Sequence, residues 1–348
     1  MEQKKLRVGI IGAGGIARTV HIPSYLSLKD QVELVAITDV QPKHAQAAAE
    51  QFSIPYVYND ASRMMQEVEL DAVSICTPNA FHRELTIEAL HAGCHVLCEK
   101  PPAITVEDAK QMEAAAKETG NLLTYGFHYR HSPEVETLKR FVDEGELGEI
   151  YHVRVQAIRR RGIPGWGVFT NKELQGGGPL IDIGVHMLDT ALYVMGFPEP
   201  ATILGQTHRK IGTKEGVGLL GEWNWQQFSI EDMAVGMITF KNGASLTIET
   251  AFAANVKEQD HMNVSFFGDK GGADLFPLSI YQEKHRTLLD ITPVYLPTYN
   301  HHEREIKHFV DCCFRLEQPL ATPEQGIVIQ RLIQGLYQSA ESGKAIQW

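Results

Sequence analysis

A stripe of polar side chains in an otherwise apolar segment is the feature of the sequence best suited to chemistry. In GGGPLIDIGVHMLD (176–189), Asp182 and His186 are four residues apart, and Asp189 and Tyr193 continue the same helical stripe. The surrounding side chains are apolar, which predicts a buried helix whose charged groups must be paired or used. A histidine beside a carboxylate can remove a hydroxyl proton, because its pKa lies near neutral pH. The pair could instead ligate a metal, but no dense ligand motif accompanies it, so no metal site is predicted.

A lysine at the end of another apolar segment adds a second reactive group. CHVLCEKP (94–101) predicts a buried strand that ends beside Lys100 and Pro101. In an open α/β sheet, ligands lie outside the carboxyl ends of the strands, so Lys100 is expected at a ligand cleft. There an ammonium group can polarise an alcohol oxygen and stabilise an alkoxide. The bond to Pro101 is allowed in the cis or the trans form, and the sequence does not decide between them.

The segment GAGGIA predicts a site for the pyrophosphate of a dinucleotide. It follows the apolar strand LRVGII (6–11), and it comprises Gly12, Gly14, Gly15, Ile16 and Ala17 with the intervening alanine. The first glycine allows a tight turn, the second admits the pyrophosphate, and the small alanine lets the next helix pack closely. Asp39 ends the following strand, where its carboxylate can accept from both ribose hydroxyls and would repel a 2′-phosphate. We therefore predict NAD as the cofactor, with NADP less favoured.

The elements that must position these residues differ between the two parts of the chain. Apolar strands alternate with helices over the first part, which is typical of a doubly wound parallel sheet. These strands are predicted at 6–11, 33–39, 71–78, 94–101 and 121–127. The sequence therefore predicts the α/β fold class, with an N-terminal Rossmann domain over residues 1–125.

Strand signals dominate the rest of the chain, which predicts a C-terminal α+β domain over residues 126–348 with a large, mostly antiparallel open sheet. The strands are predicted at 149–161, 201–209, 233–241, 244–252, 262–268 and 273–282. Asn242 and Gly243 lie between two of them and predict a hairpin. The apolar alternation of MAVGMITF and SLTIETAF predicts a homo-oligomer, a dimer or tetramer, that forms through this sheet.

Composition narrows the classes of partner and the compartment. The 348-residue chain has a formal net charge of −11 at pH 7, which argues against an extended nucleic-acid footprint. No window approaches the roughly 20 apolar residues of a membrane helix. The five cysteines form no C-x-x-C pair, which is typical of a reducing compartment. We therefore expect a cytoplasmic protein with a small-molecule partner, and neither a nucleic acid nor a membrane.

The motifs GIIGAGGIA, TPNAFH, EKP and GGGPLIDIGVHMLD resemble, in this order and spacing, the Gfo/Idh/MocA oxidoreductases. The resemblance extends over nearly the whole chain, and EKP together with D-x-x-x-H is its specific part. It implies sugar, polyol or related substrates and a second domain whose open sheet is often used for oligomerisation. It also implies that Lys100, Asp182 and His186 are catalytic.

The same resemblance implies further contacts with cofactor and substrate. The residues that match the nicotinamide side are Thr77, Pro78, Asn79 and His82, and Glu99 matches a residue that lies against the cofactor. His128 and Arg130 are candidate substrate contacts; His128 stands where many relatives carry asparagine, whereas Arg130 is retained. The loop RRRGIPGWGVF (159–169) resembles a substrate-side loop, so Arg159 and Trp166 are candidate sugar contacts.

These residues predict an NAD-dependent dehydrogenase of a secondary alcohol in a sugar, sugar derivative or cyclitol. We assign His186 as the base, Asp182 as the residue that orients the substrate and Lys100 as the electrostatic stabiliser, and the reverse roles of His186 and Lys100 stay open. A redox cycle that cleaves a glycosidic bond without net oxidation is an alternative, as is a non-catalytic regulator that senses NAD. His301 and His302 are expected on a helix surface, with a role at the edge of the substrate site left open.

Overall fold

The computed structural model describes residues 4–348, and these form two compact units. The first unit contains the residues up to His131 together with Tyr299–Gln330. The second unit contains Ser132–Thr298 together with Arg331–Trp348. Each unit therefore combines two separate stretches of the chain.

Apolar packing explains why the chain returns to the first unit near its end. Ile306 and Phe309 lie in the same buried core as Val8 and Ile10 of the first strand. Burying such side chains contributes about 1.5–3 kcal/mol each, which holds the returning helix in the core of the first unit. The predicted domain division after residue 125 stays a prediction, because the units follow packing rather than chain order.

A parallel sheet forms the centre of the first unit. Its strands are β1 (Leu6–Ile11), β2 (Val32–Thr38), β3 (Tyr56–Tyr58), β4 (Ala72–Ile75), β5 (His95–Cys98) and β6 (Leu123–Tyr125). They lie in the order β3-β2-β1-β4-β5-β6, and every neighbouring pair is parallel. The order reverses at β1, so the carboxyl ends of β1 and β4 border the crevice in which such sheets bind ligands. The predicted doubly wound sheet is confirmed.

Helices connect these strands and cover the sheet. They are α1 (Ile22–Ser27), α2 (Pro42–Phe52), α3 (Ala61–Glu67), α4 (His82–His91) and α5 (Val106–Thr119), followed late in the chain by α9 (His301–Cys313) and the first half of α10 (Pro323–Ser342). A π-helical turn at Ala17–His21 precedes α1, and short 3₁₀ turns occur at Asn79–Phe81 and His128–His131. The helix expected directly after the glycine turn therefore starts with a wider turn.

A mixed, mostly antiparallel sheet forms the second unit. Its strands are β7 (Ile150–Arg159), β8 (Pro200–His208), β9 (Met233–Phe240), β10 (Ser245–Ala251), β11 (Asp260–Gly268), β12 (Gly271–Asp274), β13 (Ser279–Lys284), β14 (Thr287–Ile291) and β15 (Ile346–Gln347). Their order is β14-β13-β12-β11-β7-β10-β9-β8-β15, and only β7 and β10 among these strands pair in parallel. The predicted open sheet is confirmed.

Two local predictions can be compared with this sheet, of which one is confirmed and one is wrong. The hairpin predicted at Asn242 and Gly243 joins β9 to β10, and Gly243 has the positive φ of 91° that such a turn requires. The single strand predicted at 273–282 is wrong, because the chain turns between β12 and β13. Pro277 lies in that turn, and a proline cannot donate to a strand ladder.

The second unit also carries the helical segment singled out in the sequence. Its helices are α6 (Pro133–Asp143), α7 (Lys172–Gln175) and α8 (Val185–Met195), and a π-helical turn at Leu180–Gly184 leads into α8. Residues 185–192 are all buried, as the apolar sequence predicts. Over residues 4–348, no helix combines the length and apolarity needed to cross a bilayer.

Candidate functional site

The glycine turn after β1 is shaped by a close backbone approach at one glycine and by open space at two others. Gly12 has a φ of 96°, and a Cβ built there would lie 2.5 Å from the carbonyl oxygen of Cys76, so no larger residue fits. A Cβ at Gly14 or Gly15 would have no neighbouring atom within 4 Å. The backbone of this turn is therefore accessible to a ligand at Gly14 and Gly15, as a pyrophosphate site requires.

Asp39 is tied directly to this turn. Its Oδ2 accepts from the backbone N–H of Ala13 at 2.9 Å, and its Oδ1 accepts from the N–H of Gln41 at 2.8 Å. Each carboxylate oxygen can accept further hydrogen bonds, because an ionised carboxylate offers about four lone-pair sites. The acid and the glycine turn that the sequence paired are thus adjacent, and they fit the ribose and pyrophosphate of a dinucleotide.

A buried hydrogen bond between His21 and Glu99, which the sequence did not predict, supports the residue before Lys100. The ring Nε2 of His21 donates to Oε1 of Glu99 at 2.9 Å, and the backbone N–H of Lys100 donates to Oε2 of Glu99 at 3.1 Å. Burial opposes ionisation of Glu99, but the hydrogen bond from His21 and the charges of His21 and Lys100 hold the pKa of this carboxyl below its ordinary value. Glu99 is therefore a carboxylate at neutral pH, fixed between β5 and the π-helical turn.

The loop that carries Lys100 is held by a fully buried histidine. The Lys100–Pro101 peptide bond is cis. The His82 ring places Nδ1 2.9 Å from the carbonyl oxygen of Pro101 and Nε2 3.1 Å from that of Thr77. Burial lowers the pKa of His82, so its ring is neutral and donates to one of these oxygens at a time. His82 thus connects the loops after β4 and β5, and its predicted contact with the nicotinamide stays a prediction.

The other residues expected on the nicotinamide side form the loop after β4. Thr77 and Pro78 are half-buried, and Asn79 is buried at the start of the 3₁₀ turn. The Cγ2 of Thr77 lies 3.1 Å from a Cβ built at Gly12. The glycine turn and this loop are therefore in contact at the carboxyl ends of β1 and β4.

The two candidate substrate residues in the 3₁₀ turn after β6 have different surroundings. Arg130 is fully buried, where it donates to the carbonyl oxygen of Leu320 and, at 2.7 Å, to Oε1 of Gln325. These contacts hold the segment before α10 in the first unit. His128 is half-buried, and its ring packs against those of His301 and His302. Their expected substrate contacts stay predictions, and the structure gives Arg130 a clear role in packing.

The glycines before α8 are needed because other groups pack closely against the chain. A Cβ at Gly177 would lie 2.1 Å from the hydroxyl of Tyr337, and one at Gly178 would lie 2.3 Å from the carbonyl oxygen of Glu231. The carboxylate of Glu231 accepts from the backbone N–H groups of Gly178, at 2.9 Å, and Leu180, at 3.2 Å. The Tyr337 hydroxyl donates to the same carboxylate at 2.8 Å. Glu231 therefore fixes the start of the helical segment that carries Asp182 and His186.

The polar stripe itself begins in the π-helical turn. Asp182 is half-buried, whereas His186 is 9% and Asp189 1% exposed. Exposure therefore falls along the stripe from Asp182 toward Asp189. A Cβ on Gly184 would lie 2.5 Å from Cγ2 of Thr250, so this glycine lets the turn pack on β10. Asp182 and His186 are accordingly held by a rigid, buried segment.

The predicted substrate-side loop has one packed and one exposed candidate. Arg159 lies with its Nε 3.7 Å from Oδ2 of Asp260, and its guanidinium is 6.0 Å from the ring centre of Phe252. Trp166 is 56% exposed and contacts Phe169 edge to face. Both sugar contacts stay predictions.

Contacts between residues that are far apart in the chain were not predicted from the sequence. His21 and Glu99 are 78 residues apart, and Tyr337 and Glu231 are 106 apart. His21 follows Ala17 by four residues on the same helical segment, which is the local signal that places His21 near the glycine turn. Glu231 has no such signal, since its partners are backbone groups.

Comparison with known proteins relates both parts of the chain to one family. A family model described as "Oxidoreductase family, NAD-binding Rossmann fold" matches residues 6–127. A second, described as "Oxidoreductase family, C-terminal alpha/beta domain", matches residues 139–348.

Individual relatives agree with these matches. D-glucoside 3-dehydrogenase of Escherichia coli (strain K12) is 47% identical over 347 residues, which cover 100% of this chain and 99% of the relative. Myo-inositol 2-dehydrogenase of Thermotoga maritima is 28% identical, over 76% of this chain and 74% of the relative. The crystal structure of aldose-aldose oxidoreductase from Caulobacter crescentus, complexed with glycerol, is 26% identical with a TM-score of 0.83, over 99% of this chain and 100% of that one.

Proposed function

Because the chain belongs to the Gfo/Idh/MocA oxidoreductase family, we propose that it oxidises a secondary alcohol of a D-glucoside, at the 3-position, with NAD. The observation that carries this proposal is the 47% identity to D-glucoside 3-dehydrogenase of Escherichia coli over the whole of both chains. The broader class is a sugar, sugar derivative or cyclitol with a free secondary hydroxyl.

The preference for NAD rests on Asp39. Its carboxylate lies at the glycine turn, where it would accept from the ribose hydroxyls and repel a 2′-phosphate. Gly14 and Gly15 present accessible backbone to the pyrophosphate. NADP should accordingly bind more weakly than NAD.

The oxidation removes a hydride from carbon and a proton from oxygen, which gives a ketone, NADH and a proton. NAD supplies the hydride acceptor when it is bound. His186 takes the hydroxyl proton, Asp182 accepts a hydrogen bond from a hydroxyl of the sugar and so orients it, and Lys100 polarises the oxygen and stabilises the alkoxide. The carboxylate of Glu99 accepts from the backbone N–H of Lys100 and so holds the backbone from which Lys100 extends.

A substrate series with selective deoxygenation tests the reaction and its position. The enzyme is assayed with NAD and with NADP on methyl and aryl D-glucosides and on their 2-deoxy and 3-deoxy analogues. We expect NADH to accumulate in equal amount with ketone, and the 3-deoxy compound alone to be inert. Cleavage of the glycoside without NADH would instead indicate the redox-cycle alternative, and NAD binding without turnover on any compound would indicate a regulator.

Single substitutions test the residue roles. Lys100→Ala and His186→Ala should each lower turnover by about 10²–10⁴-fold, since each removes a group that acts on the proton or charge of the transition state. NAD affinity should change little in His186→Ala. His208→Ala is the matched control, because it removes a histidine from the same unit outside the proposed site. Wild-type turnover in either catalytic variant would overturn that residue's role.

A further inference from the structure

Three histidines of the first unit come together although two of them are far from the third in sequence. His128 lies in the 3₁₀ turn after β6, and His301 and His302 form the first turn of α9. One ring nitrogen from each residue lies within 4.8 Å of the others. The ring centres of His128 and His302 are 3.9 Å apart, and those of His301 and His302 are 4.8 Å apart. We refer to these residues as the histidine cluster.

The start of α9 is fixed, so the cluster is not the result of loosely placed side chains. Oδ1 of Asn300 accepts from the backbone N–H of His302 at 3.0 Å, which is a regular N-cap. The apolar face of α9 is buried in the core through Ile306 and Phe309. The backbone that carries two of the three rings is therefore rigid.

His302 adds a second observation, which is a buried ring nitrogen. Nδ1 of His302 is inaccessible to solvent and has no hydrogen-bond partner among residues 4–348. A neutral imidazole keeps a lone pair on the ring nitrogen that carries no proton, and this lone pair can bind a metal ion. A buried polar atom without a partner costs free energy unless a ligand satisfies it.

We propose that His128, His301 and His302 bind one divalent transition-metal ion of the zinc class. Neutral imidazole is a preferred ligand of zinc, copper and nickel, and three such ligands leave a further position open to water or another oxygen. A tetrahedral ion with metal–nitrogen bonds of about 2.0–2.1 Å needs ligand atoms on the order of 3.4 Å apart, so small side-chain rotations must close the cluster from its present span.

The surrounding charges include one that would attract a bound cation and others that would repel it. Glu99 is a carboxylate whose charge reaches the His302 ring, and it favours a cation there. The charges of Lys100 and His21 and the positive end of α9 oppose it. Affinity must therefore come from the three imidazole bonds, which makes single histidine substitutions a sensitive test.

The sequence pattern did not predict this site. His301 and His302 are adjacent, and His128 is more than a hundred residues away, so no ligand spacing of a known motif is present. The cluster exists because residues 299–330 return to the first unit.

Metal titration of the full-length protein without an affinity tag tests the proposal. Zn²⁺ binding is measured by calorimetry, and Co²⁺ binding by its visible absorption, which also distinguishes histidine from thiolate ligands. We expect one ion per chain. His128→Asn and His302→Ala should each weaken binding by about tenfold or more, in keeping with the loss of a ligand.

His91→Ala is the matched control, because it removes a half-exposed histidine of α4 from the same unit. Circular dichroism and thermal unfolding show whether each variant is folded. If His302→Ala does not fold, His128→Asn still tests the proposal, because it is a milder change. Absence of stoichiometric binding, or unchanged affinity in the folded cluster variants, would overturn the proposal. The measurement uses no substrate, so its failure leaves the proposed dehydrogenase reaction untouched.

Discussion

At the scale of single residues, the glycine turn separates a folding requirement from a binding requirement. Gly12→Ala places a Cβ 2.5 Å from a backbone oxygen at a φ of 96°, whereas Gly15→Ala meets no atom within 4 Å and lies in a helical turn. We expect Gly12→Ala to lower the free energy of unfolding by about 1–3 kcal/mol, because its conformation suits only glycine. Gly15→Ala should fold as well as the wild type, since alanine favours a helix.

The two variants should nevertheless both lose affinity for NAD. In Gly15→Ala the added methyl group occupies space that the pyrophosphate is proposed to need, so the loss arises without any loss of stability. Chemical denaturation and calorimetric titration with NAD measure the two quantities separately. Undiminished NAD affinity in Gly15→Ala would show that the pyrophosphate does not approach the backbone there.

The lowered pKa of Glu99 predicts how the free energy of unfolding depends on pH. Such a carboxyl stabilises the folded chain above its unfolded pKa, about 4.3, and the contribution is lost as the pH falls through the lower, folded value. Glu99→Gln should be less stable than the wild type by roughly 1–3 kcal/mol at pH 7, because it weakens the charged hydrogen bond with His21. That difference should shrink as the pH is lowered from about 5. Urea unfolding across this range, with the exposed Glu69→Gln as the control, provides the measurement, and a pH-independent difference would contradict it.

At the scale of elements, the segment before α8 depends on the carboxylate of Glu231, which accepts from two backbone N–H groups and from the Tyr337 hydroxyl. Glu231→Gln replaces one acceptor oxygen by an N–H₂ group that faces a donor, either a backbone N–H or the Tyr337 hydroxyl. We expect a loss of stability of about 1–3 kcal/mol and a fall in turnover of tenfold or more, because the start of the helix with Asp182 and His186 shifts.

The readout that identifies a positioning role is the pattern of kinetic constants. Glu231→Gln should lower kcat while the affinity for NAD, which concerns the first unit, stays unchanged. Glu222→Gln, at an exposed glutamate of the same unit, is the control. A variant with reduced stability but unaltered kcat would show that Glu231 supports the fold alone.

The elements also show which parts of the site were predictable. Gly12, Ala17 and Asp39 belong to one strand–turn–helix–strand unit, so their arrangement follows from local geometry and was predicted. The hairpin at Gly243 was predictable for the same reason. The π-helical turns at Ala17–His21 and Leu180–Gly184 were not, because the polar and apolar spacing of so short a segment does not distinguish a wider turn from an α-helix.

At the scale of the whole molecule, the contacts that sequence could not give are those between distant segments. The doubly wound parallel sheet and the mostly antiparallel second sheet were predicted from patterning, whereas the return of Tyr299–Gln330 to the first unit was not. That return depends on side-chain packing of α9 into the core of the first unit, which a periodic pattern does not specify. The histidine cluster and the buried Arg130 both depend on it.

We propose that the protein forms a homo-oligomer through the outer face of the second sheet. The apolar alternation noted in the sequence is largely explained by the inner face, since Ala234, Ile238 and Phe240 are buried within the unit. The outer face still exposes Leu204 by 51% and Met237 by 43%, and these two residues are paired across β8 and β9. Exposed apolar side chains in register on an open sheet favour a self-complementary contact.

Charge substitution at this face gives the test. Leu204→Lys and Met237→Lys should each weaken self-association by about tenfold or more, because a lysine at the centre of an apolar contact must be desolvated, and the double variant should sediment as a monomer. Val217→Lys, at an exposed residue of the same unit outside the sheet, should sediment like the wild type. Sedimentation velocity over a range of concentrations measures the effect. A monomeric wild type would exclude the oligomer, and an oligomer unchanged in the double variant would place its interface away from β8 and β9.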